Sequence, residues 1–123
     1  MRKNIENKED IIILVDEFYA NVMTNPTIGY IFSDVVRVDW SIHLPKMYAF
    51  WETMLLGERT YTRNPYIPHY EVHKLTPLTE VEFNEWLRLF NQTTDEFFEG
   101  KTAEKAKEKA DALAKIMLQK INR

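Results

Sequence analysis

The chain has 123 residues, 45% of them apolar, with a formal net charge of −3 and no cysteine. That length favours a single domain over 1–123 and allows a core without covalent staples, because a domain of this size buries roughly two thirds of its unfolded surface. The missing cysteine excludes disulfides, zinc fingers, thiolate-held clusters and thiol nucleophiles, and the acidic balance argues against a general nucleic-acid binder.

The first ten residues are polar, which gives no secretory signal, and residues 1–8 read as a flexible N-terminal extension. "IIILV" at 11–15 is far too short to span a bilayer. The expectation is a soluble cytoplasmic protein with no membrane partner.

Helical periodicity begins near Lys8. Ile11, Leu14, Val15, Phe18 and Val22 recur at three- and four-residue spacing, which predicts a helix to Met23 with one buried stripe. "NPTIG" ends it, and "IGYIF" reads as a short helical turn. A long helix starts at Asp39 or Ser41, both good N-caps. It ends at "LLG", where Gly57 suits a left-handed cap. Its inward stripe is His43, Met47, Phe50, Trp51, Met54 and Leu55, with Pro45 early enough to lose few backbone bonds.

"ERTYTR" reads as a loop, and Asn64-Pro65 as the cap and first residue of a short element interrupted by Pro68. "TEVE" at 79–82 has the spacing of a capping box. It opens a long helix closed by Gly100, with Phe83, Trp86, Leu87, Phe90, Thr94 and Phe97 inward. Thr102 caps the last helix, whose stripe is Ala103, Ala106, Ala110, Leu113, Met117 and Ile121. No segment alternates as a strand does, so the fold class is all-α, with four substantial helices and two short ones. The lysines of the final helix are interleaved with Glu104, Glu108 and Asp111, the pattern of a solvated face.

Three histidines occur, and "HYEVH" holds two of them, His69 and His73, four apart. Histidines at i and i+4 on a helix can grip one metal ion. The glutamate, however, is one place later than the zinc-protease pattern requires, and His43 is the only further imidazole. A lone histidine is ordinarily a surface or satisfied core residue. Two features point further. His43 lies on an apolar stripe, and His69 sits in backbone held by Pro65 and Pro68, as an axial ligand with an aimed second nitrogen would need. Tyr19 and Trp86 each carry a polar hydrogen on a predicted apolar face, and an unpaired buried donor costs about 1–3 kcal/mol. Two such donors and a histidine converging on one cavity would suit a small polar ligand such as dioxygen.

"EFYANVMTNPTIGYIF", "HLPKMYAFWETMLLG", "YTRNPYIPH" and "FNEWLRLF" occur in the order and spacing of the truncated globins. The chain resembles the third class of that family over roughly residues 10 to 120. The paired corner glycines of the other two classes are missing, in keeping with that class.

The resemblance implies a globin-like two-over-two helical sandwich enclosing haem b (iron protoporphyrin IX), with His69 as the proximal iron ligand. It sets Tyr19, His43 and Trp86 in a distal, ligand-stabilising pocket. Met47 would line the distal ceiling. Lys46 would pair a haem propionate, with Tyr61 and Arg63 as weaker partners for that role, and Phe32, Trp51, Leu55 and Phe90 would be apolar haem contacts. His73 has no family role and reads as exposed.

The implied activity is reversible binding of dioxygen, carbon monoxide and nitric oxide at the iron. Two donors would give high oxygen affinity, which suits detoxification of nitric oxide or peroxide better than bulk transport. The chain has no flavin or nicotinamide motif, so an external reductase would supply electrons. The expected state is a monomer or weak dimer. The contrasting expectation is a helical sensor or protein-interaction module that kept the scaffold without the chemistry.

Overall fold

The structure, a computed structural model, describes residues 2–35, 37–57, 76 and 78–121. Among the described residues four helices dominate: α1 (Lys8–Met23), α2 (Trp40–Leu56), α3 (Glu80–Phe97) and α4 (Lys101–Ile121), with a π-helical turn at Ile31–Val35 before α2. α1 packs on α2, α3 on α4, α1 on α3 and α2 on α4. This is two helix pairs laid one over the other. A single apolar cluster runs through all four helices. No helix of the described residues is long and apolar enough to cross a membrane.

The stripe predicted for α1 is buried, whereas His43, Met47 and Met54 of the α2 stripe and Leu113 of the α4 stripe are half-buried. On α1, Ile11, Leu14, Val15, Phe18, Tyr19 and Val22 are all buried. Fully burying one such side chain stabilises the fold by about 1.5–3 kcal/mol relative to leaving it exposed. Asn7 caps α1 by accepting from the Asp10 N–H, and the Asp10 carboxylate accepts in return from the Glu6 N–H. That reciprocal bond, with Lys3 3.2 Å away, explains how Asp10 is tolerated at 5% exposure.

Asp39 is the cap of α2, accepting from the Ser41 N–H at 3.1 Å and the Ser41 hydroxyl at 2.6 Å. The helix runs through Pro45 and ends at Gly57, whose φ of 77° is the left-handed cap expected from the sequence. The capping box on α3 is formed, with Thr79 and Glu82 holding each other's N–H groups. The inward face of α3 is wider than its sequence stripe. Leu89 and Thr93 are also buried, while Trp86, Leu87 and Phe97 are half-buried.

Polar contacts clamp the layers together. Asn21 donates to the Thr93 hydroxyl at 3.0 Å, and that hydroxyl donates to the Leu89 carbonyl at 2.8 Å. The Tyr48 hydroxyl of α2 donates to the Asp16 carboxylate of α1. Asn25 accepts from the N–H groups of Thr27 and Ile28 and donates to Glu85 at 2.7 Å, pinning the corner after α1 to α3.

Two expectations are corrected at the N-terminus. Residues 2–7 are not a loose extension. Ile5 is 1% exposed, the Glu99 N–H donates to the Lys3 carbonyl at 2.9 Å, and Arg2 reaches the Asp95 carbonyl and the Glu99 carboxylate. Burial of Ile5 draws the segment onto the α3–α4 corner. Thr102 is also not the cap of α4, which begins one residue earlier. Asn4 supplies the capping oxygen instead, accepting from the N–H groups of Thr102 and Ala103 at 3.1 Å each. Gly100 turns the chain there with φ 125°, and a Cβ on it would lie 2.7 Å from Asn4 Cγ.

Candidate functional site

The site begins with two neighbours on α1. Successive residues of a helix point about 100° apart, and α1 lies between α2 and α3. Phe18 therefore serves α3, edge-on to Phe90 at 5.3 Å and to Trp86 at 5.7 Å between ring centroids. Tyr19 serves the other side. It meets His43 at 5.2 Å, Trp40 at 5.2 Å and Phe32 at 5.9 Å. The two residues touch each other at 4.9 Å.

Two ring clusters result, joined through Phe18. The first holds Tyr19, Phe32, Trp40 and His43. In the second, Trp86 stacks on Phe90 at 5.7 Å, and Trp51 stacks on the same ring at 4.7 Å. Phe90 is fully buried. Stacked and edge-to-face pairs contribute about 0.5–1.5 kcal/mol each beyond their buried area. The structure thus brings Tyr19, Phe32 and His43 together directly, and sets Trp86 one ring away. Leu55 is buried in the same core and Met47 packs against it, whereas Lys46 is exposed one turn beyond His43. Tyr61, Arg63, His69 and His73 lie outside the described residues.

Tyr19 is 8% exposed, and burial alone raises its phenol well above the ordinary value of 10.0. The hydroxyl stays protonated and a donor across neutral pH. Neither that hydroxyl nor the indole N–H of Trp86 hydrogen-bonds to a described residue; both side chains meet their neighbours through ring contacts. The Nε2 atom of His43 is shielded from solvent. Two donors and an imidazole among aromatic walls suit a flat apolar cofactor carrying a small polar ligand, which is the fit a haem demands of its surroundings.

Sequence reasoning missed Trp40 and Phe18 as members of this site. For Trp40 the signal was present: it lies one turn before His43, on the periodic stripe that continues to Met47.

The family comparisons agree with this architecture. A model of the bacterial-like globin family matches residues 3–119. Over 90 residues the chain is 33% identical to the group 3 truncated hemoglobin ctb of Campylobacter jejuni, covering 71% of this chain and 68% of that one. The crystal structure of a group III truncated hemoglobin from Campylobacter jejuni matches with a TM-score of 0.84 at 27% identity, covering 98% of this chain and 95% of the other. The chain is therefore a bacterial-like globin, and membership of that family implies a haem and small gaseous ligands such as dioxygen. Within the family it belongs to the group III truncated haemoglobins, with the all-α globin fold of that group.

Proposed function

We propose that this globin holds haem b through His69 and binds dioxygen with high affinity in a pocket formed by Tyr19, His43 and Trp86, serving nitric oxide or peroxide detoxification in the cytoplasm. Haem, when bound, supplies an iron that takes up diatomic gases in its ferrous form and reacts with peroxide in its ferric form. The protein supplies position and polarity. The observation that carries the reading is the buried, protonated Tyr19 phenol, whose hydroxyl has no described hydrogen-bond acceptor and whose ring lies against His43 in one aromatic cluster. A polar ligand would satisfy it.

A hydroxyl donating to a ligand that bears partial negative charge contributes about 1.5–3 kcal/mol, roughly tenfold to more than a hundredfold in affinity. Carbon monoxide is less polar and gains less. Trp86 adds a second donor, while Trp51, Leu55 and Phe90 are the apolar contacts and keep water out. Lys46, exposed on α2, fits a propionate partner at the pocket's rim, a role in which Tyr61 and Arg63 are further partners. His43 brings an imidazole, the side chain most often used to relay a proton in catalysis.

Dioxygenation of nitric oxide to nitrate consumes one electron per turnover, so a reductase partner belongs to that route. Absorption spectra of the ferric, ferrous and carbonyl forms test the core of the reading. A red protein whose Soret band shifts with carbon monoxide supports it. A His69→Ala variant that keeps the wild-type spectrum overturns the ligand assignment, and a colourless chain that takes up no added haemin overturns the whole.

A further inference from the structure

Trp40 belongs to the first ring cluster, yet the reading above gives it no role, although it meets Tyr19, Phe32 and His43 alike. Its indole lies 5.2 Å from Tyr19 at 55°, 5.4 Å from His43 at 77°, and 5.9 Å from Phe32 at 23°. It is half-buried, so it forms the outer edge of the cluster.

We propose that Trp40 is a positioning residue: wedged between Tyr19, Phe32 and His43, it fixes the directions in which the Tyr19 hydroxyl and the His43 imidazole point. The inference rests on the reading of those two side chains as pocket residues.

The backbone around Trp40 is unusually well fixed for such a role. It is the first residue of α2, immediately after the Asp39 cap. The Val38 N–H donates to the Phe32 carbonyl at 2.9 Å, and Arg37 turns the chain with φ 55°. That bond holds the residues flanking Phe32 and Trp40 together, and the two rings stack. Tyr19 is gripped from two sides, by Phe18 on its own helix and by Trp40 on the next. His43 follows Trp40 by one helical turn, so the indole occupies the neighbouring volume on the same face.

Direction matters because a hydrogen bond weakens steeply as its angle falls below about 120°. A phenol free to rock would donate to a ligand only part of the time. A side chain locked by packing donates in one geometry. Phe18 cannot provide the lock alone, because it contacts Tyr19 from one side only.

The test uses the full chain loaded with haem and reads the C–O stretching band of its carbonyl form, together with the dioxygen release rate. The variants are Trp40→Leu, Trp40→Phe, Tyr19→Phe and the Trp40→Leu/Tyr19→Phe double. The wild type is expected to give one narrow band. Trp40→Leu should broaden or split it and speed release by at least about twofold, the scale of coupling between residues in contact. That effect should shrink in the Tyr19→Phe background to the part carried by the His43 imidazole, and Trp40→Phe should keep most of the wild-type band.

An indole that serves folding alone would lower thermal stability and leave the band narrow. A Trp40→Leu band and rate equal to wild type, with Tyr19→Phe shifting both, overturns the positioning role and leaves the pocket standing. Equal Trp40→Leu effects in both backgrounds overturn it as well. Tyr19→Phe without any effect overturns the pocket reading itself. Should Trp40→Leu fail to fold, Trp40→Met and its double variant with Tyr19→Phe carry the same comparison, since the unbranched chain removes the planar wedge; a Trp40→Met band equal to wild type then overturns the proposal.

Discussion

Tyr19 of α1 meets His43 of α2 edge-on, with ring centroids 5.2 Å apart and planes at 80°. This pairing puts a phenol that burial keeps protonated beside an imidazole whose Nε2 is hidden from solvent. The functional consequence can be measured on either partner.

Removing the Tyr19 hydroxyl as Phe keeps the ring contacts and deletes the donor. Dioxygen release in stopped flow should accelerate by about tenfold to a hundredfold, from a charge-assisted bond of about 1.5–3 kcal/mol. Carbon monoxide release should change far less. Because burial raises the phenol above its ordinary 10.0, the wild-type release rate should stay flat as pH rises from neutral towards 10. The raised value also carries a stability sign: ionisation favours the unfolded chain once pH passes the unfolded phenol's value, so Tyr19→Phe should lose less stability than wild type as pH rises past about 10. An unchanged release rate would remove Tyr19 from the pocket.

Replacing His43 by Ala separates the two detoxification routes. A group that moves a proton in the rate-limiting step contributes about 10²–10⁴-fold. Steady-state peroxide turnover should fall by that order if the imidazole works as an acid–base. Full retention of turnover would leave His43 a steric residue.

Asn4 caps α4 across the whole chain, and its replacement by Ala should cost about 0.5–2 kcal/mol, the ordinary range for losing an N-cap. A domain of this size then melts several degrees lower. Asn4→Asp keeps an accepting oxygen at the helix N-terminus and should recover most of the loss. Thermal melts that coincide for wild type and Asn4→Ala would mean the capping bonds contribute nothing in solution.

Glu85 predicts the acid limb of stability. Hydrogen bonds from Arg88, and secondarily from Asn25, lower its carboxyl from the ordinary 4.5 to about 2. A depressed carboxylate stabilises the fold above the unfolded value, and that contribution is lost as pH falls from about 4.5 towards 2. Glu85→Gln should therefore melt lower than wild type at neutral pH and close the gap at acid pH. A difference independent of pH would show that charge is not the cause.

Much of the fold was legible because its signals are local. Three- and four-residue spacing marked the stripe of α1, Thr79 and Glu82 announced a capping box within one helical turn, and Gly57 ended α2 by its own backbone freedom. Leu89 and Thr93 escaped notice because α3 is covered on two sides, by α1 and α4, so its buried face exceeds one stripe. Asn4 looked like part of a polar tail. Nothing within several residues of it reveals that the start of α4 will arrive beside it.

From the residues alone came the helices, the caps of α2 and α3, most of the inward faces and the motifs of a truncated globin. These depend on the helical repeat and on short-range hydrogen bonds, which a linear chain displays in order. Only the folded molecule decided that Tyr19 would meet Trp40 and His43 while its neighbour Phe18 turned to Trp86, and that Asn4 would close the corner at Gly100. Such meetings depend on how helices cross and pack. Crossing is settled by the close packing of all the side chains together, and no stretch of sequence contains that information by itself.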